Sequence, residues 1–121
     1  MTPPSIFTKI INREVPADIL FENERIIVIK DIKADAPIHY LGITKHPYLN
    51  LDDLLTSSNQ EKELLWELFT TLASLADQAG IKESGYRIIT NNGPDARQVV
   101  PHLHIHLLGG EPLNIQDHPQ A

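Results

Sequence analysis

The run His102-Leu103-His104-Ile105-His106-Leu107 alternates imidazole and aliphatic side chains without a break. In an extended strand residues i, i+2 and i+4 share one face, so the three imidazoles line up over about 13 Å while Leu103, Ile105 and Leu107 fill the opposite side. The aliphatic side can pack on a helix, and the other side presents three imidazoles together. Gly109-Gly110 ends the strand. Adjacent imidazoles would repel one another if all were protonated, and histidine has no special preference for strands. Three in register therefore point to a chemical use rather than to an ordinary amphipathic strand.

The remaining pattern supplies a sheet and helices around this strand. Ser5 to Asn12 reads as a short helical turn with Ile6, Phe7, Ile10 and Ile11 on one side. Ile19-Leu20-Phe21 and Arg25 to Asp31 are strand-forming runs separated by the polar break Glu22-Asn23-Glu24, and Ile38 to Thr44 is a third strand, giving an antiparallel meander. Leu51 to Thr56 is a short helix. Ser58-Asn59-Gln60-Glu61 has capping-box spacing and opens the main helix, whose stripe is Leu64, Leu65, Leu68, Phe69, Leu72, Leu75, Ala76 and Ala79, with Gly80 at the C-cap. Trp66 falls outside this stripe, which suits either partial burial under a loop or a subunit contact. Tyr86 to Thr90 and His102 to Leu108 complete the strands, joined by the loop Asn91 to Pro101. Strands and one long helix without βαβ alternation predict an α+β fold: a mainly antiparallel five-stranded sheet, one long helix and short helical segments. At 121 residues, 41% of them hydrophobic, the chain suits one domain spanning 1–121, with irregular ends at 1–4 and 111–121.

Two chemistries use a face of imidazoles. Three neutral histidines can hold a catalytic zinc with a fourth position open. Alternatively, one imidazole attacks phosphorus while a neighbour protonates the leaving group. The net charge of −6, with no basic patch, argues against nucleic acid as a partner but leaves room for a small phosphate ligand held by backbone N–H groups. The absence of cysteine suits a reducing cytoplasm, and the lack of a signal segment or a membrane-length apolar run predicts a cytoplasmic protein that does not enter a membrane.

The segment His102-Leu103-His104-Ile105-His106-Leu107-Leu108 resembles the His-φ-His-φ-His-φ-φ signature of the histidine triad (HIT) superfamily, where φ is apolar. Ile6-Phe7-Thr8-Lys9-Ile10-Ile11, Val15-Pro16-Ala17, Asp31-Ile32, Ala36-Pro37-Ile38-His39, Gly85-Tyr86-Arg87 and Leu107-Leu108-Gly109-Gly110 are similar, in the same order, to the Hint branch, the purine nucleoside phosphoramidases. The resemblance runs from Ile6 to Gly110.

It implies that His104 attacks the α-phosphorus and forms a nucleotidyl-histidine that water resolves. His102 would orient His104 through its backbone carbonyl, His106 would contact the phosphate and assist the leaving amine, and His39 would support the triad. Asp31 would accept hydrogen bonds from the ribose hydroxyls. Ile6, Phe7, Ile10, Val15, Ile29 and Ile32 would surround the base, and Asn91, Gln98 and Val99 would lie near the phosphate and leaving group. No metal or other cofactor is implied; a purine nucleotide substrate and a homodimer are. A dinucleoside polyphosphate hydrolase and a weakly active nucleotide-binding scaffold are the alternatives. Departures from the branch cluster before the triad, where Arg97-Gln98-Val99 replaces Gly-Gln-Ser or Gly-Gln-Glu and Pro101 replaces a frequent tyrosine. Val99 lacks the hydroxyl that assists the leaving group, which implies a slower reaction or a different preferred leaving group. Arg97 is expected to point into solvent.

Overall fold

A computed structural model describes residues 4–57 and 61–114. Helix α1 (Ile6–Ile11) is followed by strands β1 (Ile19–Glu22), β2 (Ile26–Lys30) and β3 (Ile38–Thr44), helices α2 (Leu51–Leu55) and α3 (Lys62–Gln78), strand β4 (Tyr86–Ile89), a 3₁₀ turn (Pro94–Ala96) and strand β5 (His104–Gly109). The five strands form one sheet in the order β1-β2-β3-β5-β4, antiparallel at every pairing. The expected α+β architecture is thus observed. β5 inserts between β3 and β4, so the histidine strand lies inside the sheet.

Local chemistry accounts for the boundaries. Asn23 turns the first hairpin, its side-chain oxygen accepting the N–H groups of Arg25 (2.8 Å) and Ile26 (2.9 Å). Gly80, at φ +79°, ends α3: its N–H reaches Asp77 O (3.0 Å) and the Ile81 N–H reaches Ala76 O (3.1 Å), a Schellman pair. The start of α3 differs from expectation. It begins at Lys62, its N-cap Glu61 makes no side-chain capping bond, and the Glu61 carboxylate accepts the Tyr48 hydroxyl instead. Ser58 of the anticipated capping box lies outside the described residues.

The two faces of the sheet carry different tasks. On one, the α3 row Leu64, Leu68, Leu72 and Ala76 packs with Ile26, Val28, Tyr40, Ile105 and Leu107. Leu65, Leu75 and Ala79 are only partly buried, Phe69 is 42% exposed and Trp66 73% exposed, so no loop among the described residues covers Trp66. On the other face Phe7 and Ile10 of α1 close over Ile27, Ile29, Leu41 and Ile43. Sequence alternation placed three imidazoles on one side without fixing their exposure, and His102, His104 and His106 are all buried, at 0%, 2% and 0% exposure. Among the described residues no helix is long and apolar enough to cross a membrane.

Gly42 lets α3 approach the sheet. A Cβ there would lie 2.9 Å from Leu68 Cδ1 and 3.1 Å from Leu72 Cδ1. Gly42→Val is expected to destabilise the fold by about 1–3 kcal/mol through overpacking. Urea unfolding checks it, and an unchanged midpoint would show that the helix yields freely.

Candidate active site

His104 opens β5, opposite Ile43 of β3. Its Nδ1 lies 2.6 Å from the backbone oxygen of His102, two residues back. A carbonyl only accepts, so Nδ1 carries the proton and Nε2 keeps a lone pair. That Nε2 is buried and has no hydrogen-bond partner. A buried nitrogen with an unmatched lone pair is costly to leave unpaired, which is the condition of a nucleophile awaiting a reacting atom.

His102 is fixed from both ends. Its Nε2 lies 2.7 Å from Thr44 O, so Nε2 is the N–H, and its Nδ1 accepts from the Ser5 hydroxyl at 2.9 Å, with the Thr8 hydroxyl at 3.4 Å. Burial pushes its pKa below the ordinary histidine value, aided by the neighbouring His104 and His46 and opposed by the bond to Thr44. Phe7 packs edge-on to both rings, with centroids 4.8 Å from His104 and 5.9 Å from His102.

The β3–β5 pairing brings His39 to His106, Nε2 to Nδ1 at 2.9 Å. The Asp35 N–H donates to His39 Nδ1 (3.1 Å), so the His39 proton sits on Nε2 and points into the His106–Asp31 side of the ring. His106 Nδ1 therefore accepts, and its own proton is on Nε2. His39 is held below the ordinary pKa by burial, against the opposing pull of Asp31 and Asp35. The His104 and His106 rings stand 5.1 Å apart. A lone pair on one imidazole and an N–H on its neighbour can supply a nucleophile and a hydrogen-bond donor to an anionic oxygen.

Asp31, His39 and His106 each offer a donor atom within 4.8 Å of the others, which raises the question of a metal. A metal on His39 Nε2 would shift that proton to Nδ1, where it would face the Asp35 N–H, donor against donor. As hydrogen-bonded, the trio fits an ordered proton chain and does not fit a metal cage.

Beside the triad lies an apolar cavity of about 300 Å³. Ile6, Phe7, Ile10, Val15, Ile29, Asp31 and Ile32 line it, so the residues expected around the base and the aspartate expected at the ribose share one cavity, joined by Leu41 and Val100. Asp31 Oδ1 accepts the Lys33 N–H (2.9 Å) and Oδ2 lies 3.4 Å from His39 Nε2, which leaves lone pairs for ribose hydroxyls.

The loop before the triad is arranged differently from its sequence expectation. The Gln98 amide accepts from Gly93 N–H (2.9 Å) and donates to Leu49 O (2.8 Å) and Val100 O (2.9 Å), so it holds the loop together. Val99 is 68% exposed and does not line the cavity, whereas Val100 does. Asn91 is half-buried just beyond Ile89, the β4 partner of His106. Arg97 is exposed, as expected, and adopts φ 60°, ψ 38°. This left-handed conformation costs a non-glycine residue about 1 kcal/mol. Sequence reading missed Ser5 and Thr8 as partners of His102, and Ser5 carried only the generic signal of a helix N-cap residue.

A row of buried histidines, one with an unpartnered ring nitrogen, built into an antiparallel sheet beside an apolar, aspartate-edged cavity defines the class of site. The family model described as HIT domain matches residues 12–113, and the chain belongs to that family. It is 44% identical over 113 residues to an uncharacterized HIT-like protein of Synechococcus elongatus, covering 93% of this chain and 96% of the relative. It is 39% identical over 113 residues to the purine nucleoside phosphoramidase of Escherichia coli K12, covering 93% and 92%. A HIT family hydrolase from Clostridium thermocellum superposes with TM-score 0.85 at 40% identity, over 96% of this chain and 98% of that one.

Because His39 and His102 are held below the ordinary value of 6.5, the unfolded chain binds protons that the folded chain refuses. Their contribution to stability is full above 6.5 and is lost as pH falls through that value towards the lowered folded-state pKa values. Urea midpoints should therefore decline as pH falls below neutrality. A flat profile down to about pH 5 would contradict the assignment of two neutral buried histidines.

Proposed function

We propose that the protein hydrolyses nucleoside 5′-phosphoramidates of purine type. The base enters the apolar cavity between α1 and β2, the ribose hydroxyls bond Asp31, and the α-phosphoryl group meets His104. Nε2 of His104 donates its lone pair to phosphorus as the P–N bond breaks, the bridging nitrogen takes up a proton from solvent and leaves as the neutral amine, and the neutral His106 steadies the phosphoryl oxygens through its Nε2–H. Water then attacks the nucleotidyl-His104 as the bond from phosphorus to Nε2 breaks, the His104 lone pair is restored, the proton taken up in the first step returns to solvent and nucleoside monophosphate leaves. Throughout, the His104 Nδ1–H stays bonded to His102 O and shares the positive charge that develops on the ring.

The observation that carries this reading is the buried, unpartnered Nε2 of His104, whose tautomer is set by the carbonyl of His102. The E. coli relative that bears the phosphoramidase name supports the choice of bond. Mixing with an adenosine phosphoramidate and reading intact mass should reveal an AMP adduct on His104. His104→Ala should remove the adduct and lower turnover by on the order of 10⁴-fold or more with the fold retained. Residual turnover near that of the unmodified protein would sink the assignment. His106→Ala should cost ~10²–10³-fold through loss of its N–H bond to the phosphoryl oxygens, whatever the leaving group.

The proposal extends to a homodimer, supported by Trp66 and Phe69 exposed on the side of α3 that does not pack on the sheet. Sedimentation at micromolar concentration is expected to give a dimer that Trp66→Glu weakens, and a monomer for the unmodified protein would refute it.

A further inference from the structure

Helix α1 belongs to two parts of the site at once. Ile6, Phe7 and Ile10 line the apolar cavity, and Phe7 also packs edge-on against His104 and His102. At its first turn the Ser5 hydroxyl has two short bonds beside a longer contact with the Thr8 hydroxyl at 3.4 Å. Its oxygen accepts the Thr8 N–H at 3.2 Å, capping the helix, and its hydroxyl meets His102 Nδ1 at 2.9 Å. The direction of the second bond is forced. The Thr44 carbonyl requires a proton on His102 Nε2, which makes Nδ1 of the neutral ring an acceptor and Ser5 the donor. His102 in turn lends its carbonyl to His104 Nδ1 at 2.6 Å.

We propose that Ser5 is a positioning residue that holds His102 from α1, so that the helix forming the base cavity also sets the orientation of the His104 nucleophile. A base that packs against Ile6, Phe7 and Ile10 then steadies the same helix whose Ser5 steadies His102 and, through its carbonyl, His104. Recognition of the base is felt in the chemical step as well as in binding. This rests on the phosphoramidase reading of the site. Ser5 touches neither substrate nor the reacting atoms and acts through His102 alone.

Ser5→Asp separates this role from helix capping, because aspartate caps as well as serine but its carboxylate has no hydrogen to donate. Ser5→Thr keeps both functions. The expected result is a kcat for an adenosine phosphoramidate lowered on the order of 10-fold in Ser5→Asp with KM little changed, and recovered in Ser5→Thr. The kcat advantage of that substrate over a ribose 5-phosphoramidate lacking the base should shrink in Ser5→Asp. Nitrogen NMR of the His102 ring should show a bare Nδ1 in the unmodified protein and a protonated one in Ser5→Asp.

A Ser5→Asp protein with unmodified kcat, an unchanged base effect or a bare Nδ1 on His102 would overturn the proposal, as would a loss of thermal stability without those changes. The NMR arm needs no turnover. If the unmodified protein fails to cleave phosphoramidates, the functional reading falls, while the ring spectra still decide whether Ser5 holds His102.

Discussion

An imidazole in a sheet interior is tolerated only when its nitrogens are matched, since an unpaired buried polar atom costs about 1–3 kcal/mol. In this protein that condition organises the site. His102 is matched by Ser5 and Thr44, His39 by Asp35 and His106, and His104 by the His102 carbonyl at Nδ1 alone. Every bond in the set removes a tautomer that the neutral rings would otherwise sample. The unmatched nitrogen, Nε2 of His104, is thus left by its surroundings as a lone pair and is not a defect of packing. Pre-setting the protonation pattern before substrate arrives means that little reorganisation is needed during reaction.

That arrangement depends on both faces of β5 being covered by unlike partners. α3 supplies a dry aliphatic layer on the Leu103, Ile105 and Leu107 side, drawn close by the missing side chain of Gly42. α1 supplies Phe7 and Ile10 on the histidine side. Burial on that second face depresses the basicity of His39 and His102 and keeps them neutral, the form in which each can donate through one nitrogen and accept through the other. A histidine face open to water would have left the rings free to titrate and turn.

Much of this was legible in the chain. The hairpin at Asn23, the Gly80 cap and the apolar row of α3 follow from local chemistry that acts within a few residues. The cavity residues Ile6, Phe7, Ile10, Ile29, Asp31 and Ile32 came from resemblance to the Hint branch, and they converge on one cavity. Two readings suffered because a residue's partner lay far along the chain. Glu61 suggested a capping box but bonds Tyr48, and Gln98 suggested a ligand amide but bonds Leu49 and the loop backbone. Tyr48 and Leu49 lie too far along the chain to leave a local signal, although Gln98 also bonds Gly93 and Val100 nearby. The alternation before Pro101 likewise did not say that Val100, and not Val99, would face the cavity.

For the run His102 to His106, the period of two was sufficient by itself to place three imidazoles on one face and three aliphatic side chains on the other, because successive side chains of a strand point to opposite sides. The order of strands, which put His39 of β3 beside His106 of β5, and the docking of α1, which put Ser5 against His102, were decided only in the folded molecule. A tautomer is set by what stands next to each ring nitrogen. For His102 and His39 those neighbours include residues dozens of positions away, and only tertiary structure brings them together.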